Sequence, residues 1–164
     1  MIEGPHIHLR TVKKGDDQLI FIWENNPEYE FVNYHKHRLT RNDIRDWIVN
    51  NRHDLLLERQ LRLMVCKNDN HEVIGCVDLF DYNQANKSCG IGIIIEKKYR
   101  KMGYGFEAIN YTIRFIFQKL GLNKIESLIH PLNTISIKFF EKSKFKFIKK
   151  TDIGLYLYLL KNSE

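Results

Sequence analysis

One stretch of the sequence combines glycine with closely spaced basic residues and is the part best suited to bind an anion. It runs from Arg100 to Gly105 as RKMGYG, with Lys97 and Lys98 just before it. Glycine lets the backbone approach a ligand closely, and the first N–H groups of a helix lack internal partners. Together with the helix dipole, these groups attract anions. The stretch therefore predicts a cradle for phosphate groups, with a basic surface loop that enters a helix as the alternative.

A strand is predicted before this turn and a helix after it. Residues 91–95 are rich in isoleucine, and β-branched runs are typical of buried strands. After the turn, apolar residues recur at spacings of three and four, which is the pattern of one helical stripe. That stripe consists of Phe106, Ile109, Ile113, Ile116 or Phe117, and Leu120. Gly121 is then placed to cap the end of the helix.

A dinucleotide is the rival ligand for the turn, because residues 103–108 fit the pattern G-x-G-x-x-A. In dinucleotide-binding folds the first glycine follows its strand almost at once. Here the stretch EKKYRKM, residues 96–102, stands between the two. The acid expected about 20 residues further on to bind the ribose would be Glu126, which falls inside the next predicted strand, KIESLI. These positions argue against a dinucleotide.

Two motifs resemble those of the GNAT acetyltransferase superfamily. Residues 100–105 match Q/R-x-x-G-x-G/A, and residues 133–145 resemble N-x-x-S-x-x-x-Y-E-K-x-G-F. The layout is most similar to the spermidine and diamine acetyltransferases and to the ribosomal-protein N-terminal acetyltransferases. Two positions depart from the pattern. Phe140 stands where many members have a tyrosine that donates a proton, and Lys144 stands where a glycine is usual.

The resemblance implies acetyl-CoA as the acetyl donor and an N-acetyltransferase activity on a primary amine. It implies an α/β GNAT-like single domain over residues 1–164, whose central sheet is mixed and mostly antiparallel. Six to seven strands and about four flanking helices are expected. A backbone N–H of the central strand, freed by a local bulge, would hold the thioester carbonyl. By resemblance, the residues that contact the cofactor are Ile93, Ile94, Ile95, Arg100, Lys101, Met102, Gly103, Tyr104, Gly105, Asn133, Ser136 and Phe140.

Carboxylates are the candidates for handling the acceptor, because an alkylamine is protonated at neutral pH and must lose a proton before it attacks. Asp78 and Asp81 lie on the predicted strand beside the cofactor strand, and Asp78, further inside it, is the predicted catalytic base. Asp81, Glu28 and Glu30 are predicted to bind the substrate, the two glutamates because the equivalent GNAT segment borders the acceptor site. Each of these acids also fits a solvated surface position.

The rest of the chain alternates between short strands and helices. Asp16 or Asp17 is predicted to cap a first helix, and Thr40 with Asp43 resembles a capping box for a second. Three consecutive strands are expected to form an antiparallel meander, followed by a crossover to a parallel neighbour. The predicted strands cover residues 7–12, 61–67, 72–81, 88–95, 124–129, 145–150 and 155–161, and a last helix covers residues 134–142.

Length and composition limit the class of protein. A chain of 164 residues, 43% hydrophobic and 28% charged, is typical of one soluble globular domain. No secretory signal or membrane span is evident, so a cytoplasmic location is expected. Cys66, Cys76 and Cys89 are odd in number and fall in predicted strands, which indicates buried reduced thiols. The histidine pairs His6/His8 and His35/His37 lack a completing acid or cysteine, so no metal site is predicted.

The net charge of +6 favours polyanionic partners, among them CoA, but carries little specificity. The preferred acceptor is a polyamine or diamine, and a protein N-terminus is the alternative. Two other classes stay open. The chain could be a non-catalytic acyl-CoA-binding regulator, an alternative suggested by Phe140 at the position of the proton-donating tyrosine. It could also be a basic nucleic-acid-binding module, although no recognition motif for nucleic acid is present. No membrane partner is expected, and a homo-oligomer is left open.

Overall fold

A single eight-stranded sheet organises the computed structural model, which describes residues 1–29 and 38–162. The strands are β1 Ile2–Glu3, β2 Ile7–Thr11, β3 Leu61–Lys67, β4 Val73–Asn83, β5 Ser88–Ile95, β6 Lys124–Ile129, β7 Lys146–Lys150 and β8 Tyr156–Lys161. Their order across the sheet is β1-β2-β3-β4-β5-β6-β8-β7. Among these strands, β5 and β6 are parallel and all other neighbours are antiparallel. The predicted α/β class with a mixed, mostly antiparallel sheet is confirmed.

Helices cover both faces of the sheet. Those in the described residues are α1 Asp17–Asn25, α2 Arg41–Asn50, α3 Leu55–Glu58, α4 Tyr104–Arg114 and α5 Thr134–Lys142, and residues Phe115–Lys119 extend α4 as a π-helical turn. Successive side chains of a strand point to opposite faces. In β3, Met64 packs with α1 and α2, whereas Val65 packs with α4 and α5. The sheet therefore separates two hydrophobic cores, one beneath α1 and α2 and the other beneath α4 and α5.

Within residues 1–29 and 38–162, the structure has one strand and one α-helix more than the sequence predicts. The additional strand, β1, has two residues, and the additional helix, α3, has four. Hydrophobic periodicity cannot reveal elements that complete less than about one or two repeats of their period. Both are held by local contacts instead. The Asp54 carboxylate accepts hydrogen bonds from the N–H groups of Leu56 and Leu57 at the start of α3.

Capping follows the prediction at α2 but not at α1. Thr40 Oγ1 accepts from the N–H of Asp43, and the Asp43 carboxylate accepts from the N–H of Thr40, which completes the capping box. Asp16 stands at the N-cap of α1 but its side chain makes no capping bond. Its carboxylate instead accepts two hydrogen bonds from Arg10, at 2.7 and 2.9 Å. This pair ties the start of α1 to β2.

Strands β5 and β6 are paired over only three residues before they separate. The pairs run from Ser88 with Lys124 to Gly90 with Glu126, and the remaining five residues of β5 are not paired with β6. On its other side β5 stays in register with β4 as far as Ile95. The sheet therefore opens as a V between β5 and β6, which is where we expect a ligand to enter.

The three cysteines are free thiols buried in the sheet, as predicted. Burial raises the pKa of each thiol, and that of Cys89 to about 12. Helices long and apolar enough to cross a membrane are absent from the described residues.

Gly75 is required by the close approach of β4 and β5. A Cβ placed on Gly75 would collide with the backbone carbonyl oxygen of Ile94, which cannot move without breaking the strand pairing. We expect Gly75→Ala to lower the free energy of unfolding by about 2 kcal/mol or more. Gly92→Ala is the matched control in β5, since its Cβ would meet only the Phe80 ring at 3.8 Å. Chemical denaturation of the two variants tests this difference, and equal stabilities would contradict it.

Candidate active site

The predicted phosphate turn lies between β5 and α4 and has an open backbone. Gly103 is the N-cap of α4 with φ of +88°, a conformation that favours glycine, and a Cβ there would meet nothing within 4 Å. Within the described part of the chain, the N–H groups of residues 101–106 have no protein acceptor. Lys101, Met102 and Gly103 are exposed. Several N–H groups thus face solvent at the positive end of an eleven-residue helix.

Two of the basic residues before the turn, Lys98 and Arg100, make hydrogen bonds within the chain. Arg100 Nε donates to the carbonyl of Ile95 at 2.8 Å, and its guanidinium lies 5.8 Å from the centre of the Tyr29 ring. Lys98 donates to Glu72 at 3.2 Å, and hydrogen bonds with Tyr99 and Glu72 raise the pKa of its ammonium. Arg100 is therefore held at the end of β5, just before the turn, by contacts with Ile95 and Tyr29.

The first turn of α4 packs on β5 and α5. A Cβ on Gly105 would lie 3.3 Å from the ring of Phe139 in α5 and 3.5 Å from Cγ1 of Ile95. Tyr104 packs against the hydrophobic core on the α4 and α5 face of the sheet. The Phe106 and Phe139 rings are 4.8 Å apart. The two family motifs, far apart in sequence, therefore meet at this point.

Beyond Gly90, where β5 and β6 are no longer paired, some backbone N–H and C=O groups of β5 point into the V. Successive residues of an antiparallel strand direct their N–H and C=O groups alternately toward the partner and away. Glu96 donates to Ile74 of β4, so alternation directs the backbone groups of Ile95 and Ile93 into the V and those of Ile94 toward β4. The prediction of a bulge at these positions was wrong, because the register between β4 and β5 is regular there. Separation of the strands makes the N–H groups available instead.

A cavity of about 480 Å³ fills the V and continues onto the face covered by α1 and α2. Most of its lining is apolar. These side chains and glycine come from both helical layers and the sheet: Ile20, Leu39, Ile44, Trp47, Leu61, Leu79, Phe80, Ile91, Gly92, Ile93, Leu128, Ile129 and Phe140. The polar lining residues are Glu24, Asp43, Gln60, Arg62, Asp78, Ser127, Asn133 and Ser136. An apolar cavity with a few convergent polar groups is the usual form of a small-molecule site.

Asp78 lies on the floor of this cavity in an ionic cluster. Arg62 is its register partner in β3, and the guanidinium donates to both carboxylate oxygens, at 2.6 and 2.8 Å. The same guanidinium pairs with Glu24 of α1 at 2.7 Å. Burial disfavours the charge on Arg62, but Asp78 and Glu24 outweigh it, so the pKa of Arg62 is raised. On the other side Asp78 faces Gly92, which leaves room above the carboxylate.

Sequence reasoning missed Glu24 and Arg62. Both carried a signal, because Arg62 is the one charged residue within LRLMVC of β3, and Glu24 lies four residues after buried Ile20 on the packed side of α1. A charge on a buried face of an element calls for a partner. The identity of that partner depends on strand register and helix docking, which the sequence does not reveal.

Of the other predicted acceptor acids, Asp81 and Glu28 are described by the structure and do not line the cavity. Asp81 is exposed, has φ of +50°, and falls where the β4–β5 register shifts. Glu28 is 47% exposed and lies 3.6 Å from the Lys97 ammonium. Glu30 lies outside the described residues, as do His35 and His37.

Asn133 and Ser136 stand together at the start of α5 and border the cavity. Asn133 Oδ1 accepts from the N–H of Ser136 at 3.1 Å, so Asn133 caps the helix. Phe140 is 2% exposed, lies between the rings of Phe139 and Phe145, and also lines the cavity. No tyrosine is found among the described residues that line it.

Comparisons with known proteins agree with this geometry. The model of the acetyltransferase (GNAT) domain family matches residues 6–146. The chain is 25% identical over 144 residues to the SPbeta prophage-derived uncharacterized N-acetyltransferase YokL of Bacillus subtilis (strain 168), covering 87% of this chain and 77% of that protein.

Two solved structures from Vibrio cholerae have the same fold. Spermidine N-acetyltransferase in complex with CoA and spermine aligns with a TM-score of 0.84 at 18% identity, over 96% of each chain. A candidate ribosomal-protein-serine acetyltransferase aligns with a TM-score of 0.80 at 16% identity, over 98% of this chain and 97% of the other. The family match spans most of the chain and both motifs fall at one site, so the chain belongs to the GNAT family of acetyl-CoA-dependent N-acetyltransferases.

Proposed function

We propose that the chain transfers the acetyl group of acetyl-CoA to a cationic primary amine, a polyamine or diamine, by direct attack in a ternary complex. The observation that carries this proposal is the cavity that joins the open V of the sheet to the Asp78 carboxylate. In this reaction the amine nitrogen attacks the thioester carbon, a C–N bond forms and the C–S bond breaks. The cationic nitrogen loses two protons in all: the first goes to a base and on to solvent before attack, and the second ends on the CoA sulfur.

The donor binds along the V with its pyrophosphate at the Gly103 turn. The N–H groups of residues 101–106 and the Arg100 guanidinium supply the hydrogen bonds for the phosphates. The thioester carbonyl then lies beside β5, where the backbone N–H of Ile93 or Ile95 is available. A hydrogen-bond donor that is already in place where negative charge develops on the carbonyl oxygen lowers the activation free energy, because the donor need not reorient during the reaction. Asn133 and Ser136 border the opposite wall.

The acceptor amine lies on the α1/α2 side, with Asp78 as the group that binds it and takes its proton. Asp43 and Asp78 line the cavity with carboxylates that are exposed or partly exposed to solvent. Carboxylates in the lining favour a cationic acceptor. The fold shared with a spermidine N-acetyltransferase bound to CoA and spermine supports a polyamine.

Two alternatives have specific support. A protein N-terminus as acceptor is supported by the fold shared with the candidate ribosomal-protein-serine acetyltransferase. A non-catalytic acyl-CoA-binding regulator is supported by Phe140, which has no proton for the leaving thiolate. Release of CoA thiol measured over a panel of amines and peptides separates the three, because a regulator binds acetyl-CoA without turnover.

Acetyl-CoA should protect the fold against heat, and the Gly103 turn should carry that effect. At a hundredfold excess over Kd the stabilisation is about 2.7 kcal/mol, which raises Tm by roughly 5 °C or more. Gly103→Val should nearly abolish the rise because it blocks backbone approach, and Arg100→Ala should reduce it. Gly154→Val is the matched control, with φ of +85° and open surroundings in the β7–β8 hairpin. A full ligand-induced rise in Gly103→Val would refute the cofactor site.

Asp78→Asn should lower kcat/KM for cationic amines by about 10². The change keeps the shape of the side chain but removes the charge that binds and deprotonates the amine. An aromatic amine, uncharged at neutral pH, should be affected less. Asp81→Asn is the control, since Asp81 is exposed and outside the cavity. Wild-type rates of Asp78→Asn on all amines would exclude the catalytic role.

Phe140→Tyr tests whether protonation of the leaving thiolate limits the rate. A thiolate near its own pKa is a tolerable leaving group, so we expect kcat to change by less than about threefold. The pH profile of kcat should keep a single limb that rises with pH, as the amine or its base loses a proton. Phe145→Tyr adds a hydroxyl to a neighbouring buried ring outside the cavity and controls for packing. A rise of tenfold or more in Phe140→Tyr alone would mean that solvent does not suffice.

A further inference from the structure

Ser127 places a buried hydroxyl group in the wall of the cavity. The residue is 3% exposed and lies in β6 between Ile125 and Ile129, whose side chains belong to the core beneath α4 and α5. Because side chains alternate along a strand, the Ser127 side chain faces the same side of the sheet. Ser127 lines the cavity, and its hydroxyl makes no hydrogen bond to the described residues. The hydroxyl is therefore available to a ligand in the cavity.

Ser127 lies at the narrow end of the V. Glu126 is the last residue of β6 that is paired with β5, opposite Gly90, and Ser127 follows it directly. The predicted phosphate turn follows β5 at the wide end of the V. In acetyl-CoA the thioester is at the far end of the molecule from the phosphates. A donor whose phosphates lie at the turn therefore has its thioester toward the narrow end, on the side where Ser127 lies.

The other candidates for a proton donor on this face are less suited. Phe140 lines the same cavity but has no hydroxyl. Tyr158 is the register partner of Ser127 in β8, but its hydroxyl donates to Glu141 at 3.0 Å. Burial raises the pKa of Tyr158 to about 12, and this residue does not line the cavity. Ser136 lines the cavity from α5 and is less buried than Ser127. Ser127 is thus the most buried hydroxyl in the described lining.

We propose that Ser127 is a catalytic residue that passes the second proton of the amine to the CoA sulfur. Once the C–N bond has formed, the nitrogen still carries the proton that must end on sulfur. The Ser127 oxygen accepts this proton while its own hydroxyl proton moves to the sulfur and the C–S bond breaks. The hydroxyl is regenerated, so the enzyme gains and loses no net proton. This inference rests on the proposed function, since it concerns the same reaction.

A relay through a neutral hydroxyl separates the two proton transfers in space. Serine is a very weak acid, but it need not ionise when it takes up one proton as it gives up another. The first proton of the ammonium group is assigned to Asp78, which pairs with Arg62 and through it contacts α1. Ser127 faces the opposite side of the sheet, beneath α4 and α5. The base and the relay therefore approach the reacting atoms from different sides.

Ser127→Ala tests the relay, and a phenol placed in the same cavity tests whether a proton donor is what the variant lacks. Release of CoA thiol is followed in a single turnover, with 1,4-diaminobutane or a short peptide with a free N-terminus as acceptor. Ser127→Ala should lower the rate about 10- to 100-fold. In this background Phe140→Tyr should restore the rate by about tenfold or more. In the wild type, where the relay is present, the same change should alter the rate by less than about threefold.

Ser88→Ala is the matched control. Ser88 is a buried serine of β5 that does not line the cavity, and its replacement should leave the rate unchanged. The rise in Tm caused by acetyl-CoA separates binding from catalysis and should be equal in Ser127→Ala, Ser88→Ala and the wild type. Without ligand, Ser127→Ala should keep the wild-type Tm, because the hydroxyl makes no hydrogen bond to the described residues that the change would remove.

The possible outcomes are distinct. A wild-type rate in Ser127→Ala would overturn the relay and leave the proposed function intact. A slow Ser127→Ala that Phe140→Tyr does not rescue would also overturn the relay, because a proton donor would not be what is missing. A wild type that acetylates the peptide but not the diamine would overturn the proposed acceptor, and the peptide then decides the role of Ser127. A wild type that binds acetyl-CoA but releases no thiol with either acceptor would overturn both.

Discussion

The separation of β5 from β6 is the constraint on which the rest of the structure depends. Two parallel strands that stayed paired would satisfy each other's backbone groups and close the sheet. After Gly90 and Glu126 the pairing with β6 stops, and β5 continues to Ile95 paired with β4 only. This leaves backbone donors beside a cavity and connects the two faces of the sheet. The predicted phosphate turn and the proposed acceptor site can therefore lie on opposite faces and still serve one reaction.

Much of the fold could be predicted from the sequence, because it depends on local patterns. The isoleucine-rich strand, the glycine turn and the amphipathic helix follow one another as expected, and Gly103 has the positive φ that the turn requires. Thr40 and Asp43 form the predicted capping box for the same reason. Each of these features is decided by residues within a few positions of one another, so the pattern contains the necessary information.

The floor of the proposed acceptor site could not be predicted, because it depends on contacts between distant segments. Arg62 meets Asp78 through the register of β3 and β4, and Glu24 reaches Arg62 because α1 docks over the same face. Glu28 is predicted by resemblance to a family segment, but in the structure it pairs with Lys97, just before the predicted phosphate turn. The local pattern gives the type of side chain, and the register decides which side chains meet.

The burial of Cys66, Cys76 and Cys89 also affects how the protein responds to oxidants. Peroxides, disulfides and alkylating agents react with exposed thiolates, and here the thiols are both shielded and held protonated by burial. The folded protein should therefore need no reducing agent to stay intact. In a reaction mixture the CoA released from acetyl-CoA would be the reactive thiol, so an electrophile that consumes free CoA would leave the native chain unmodified.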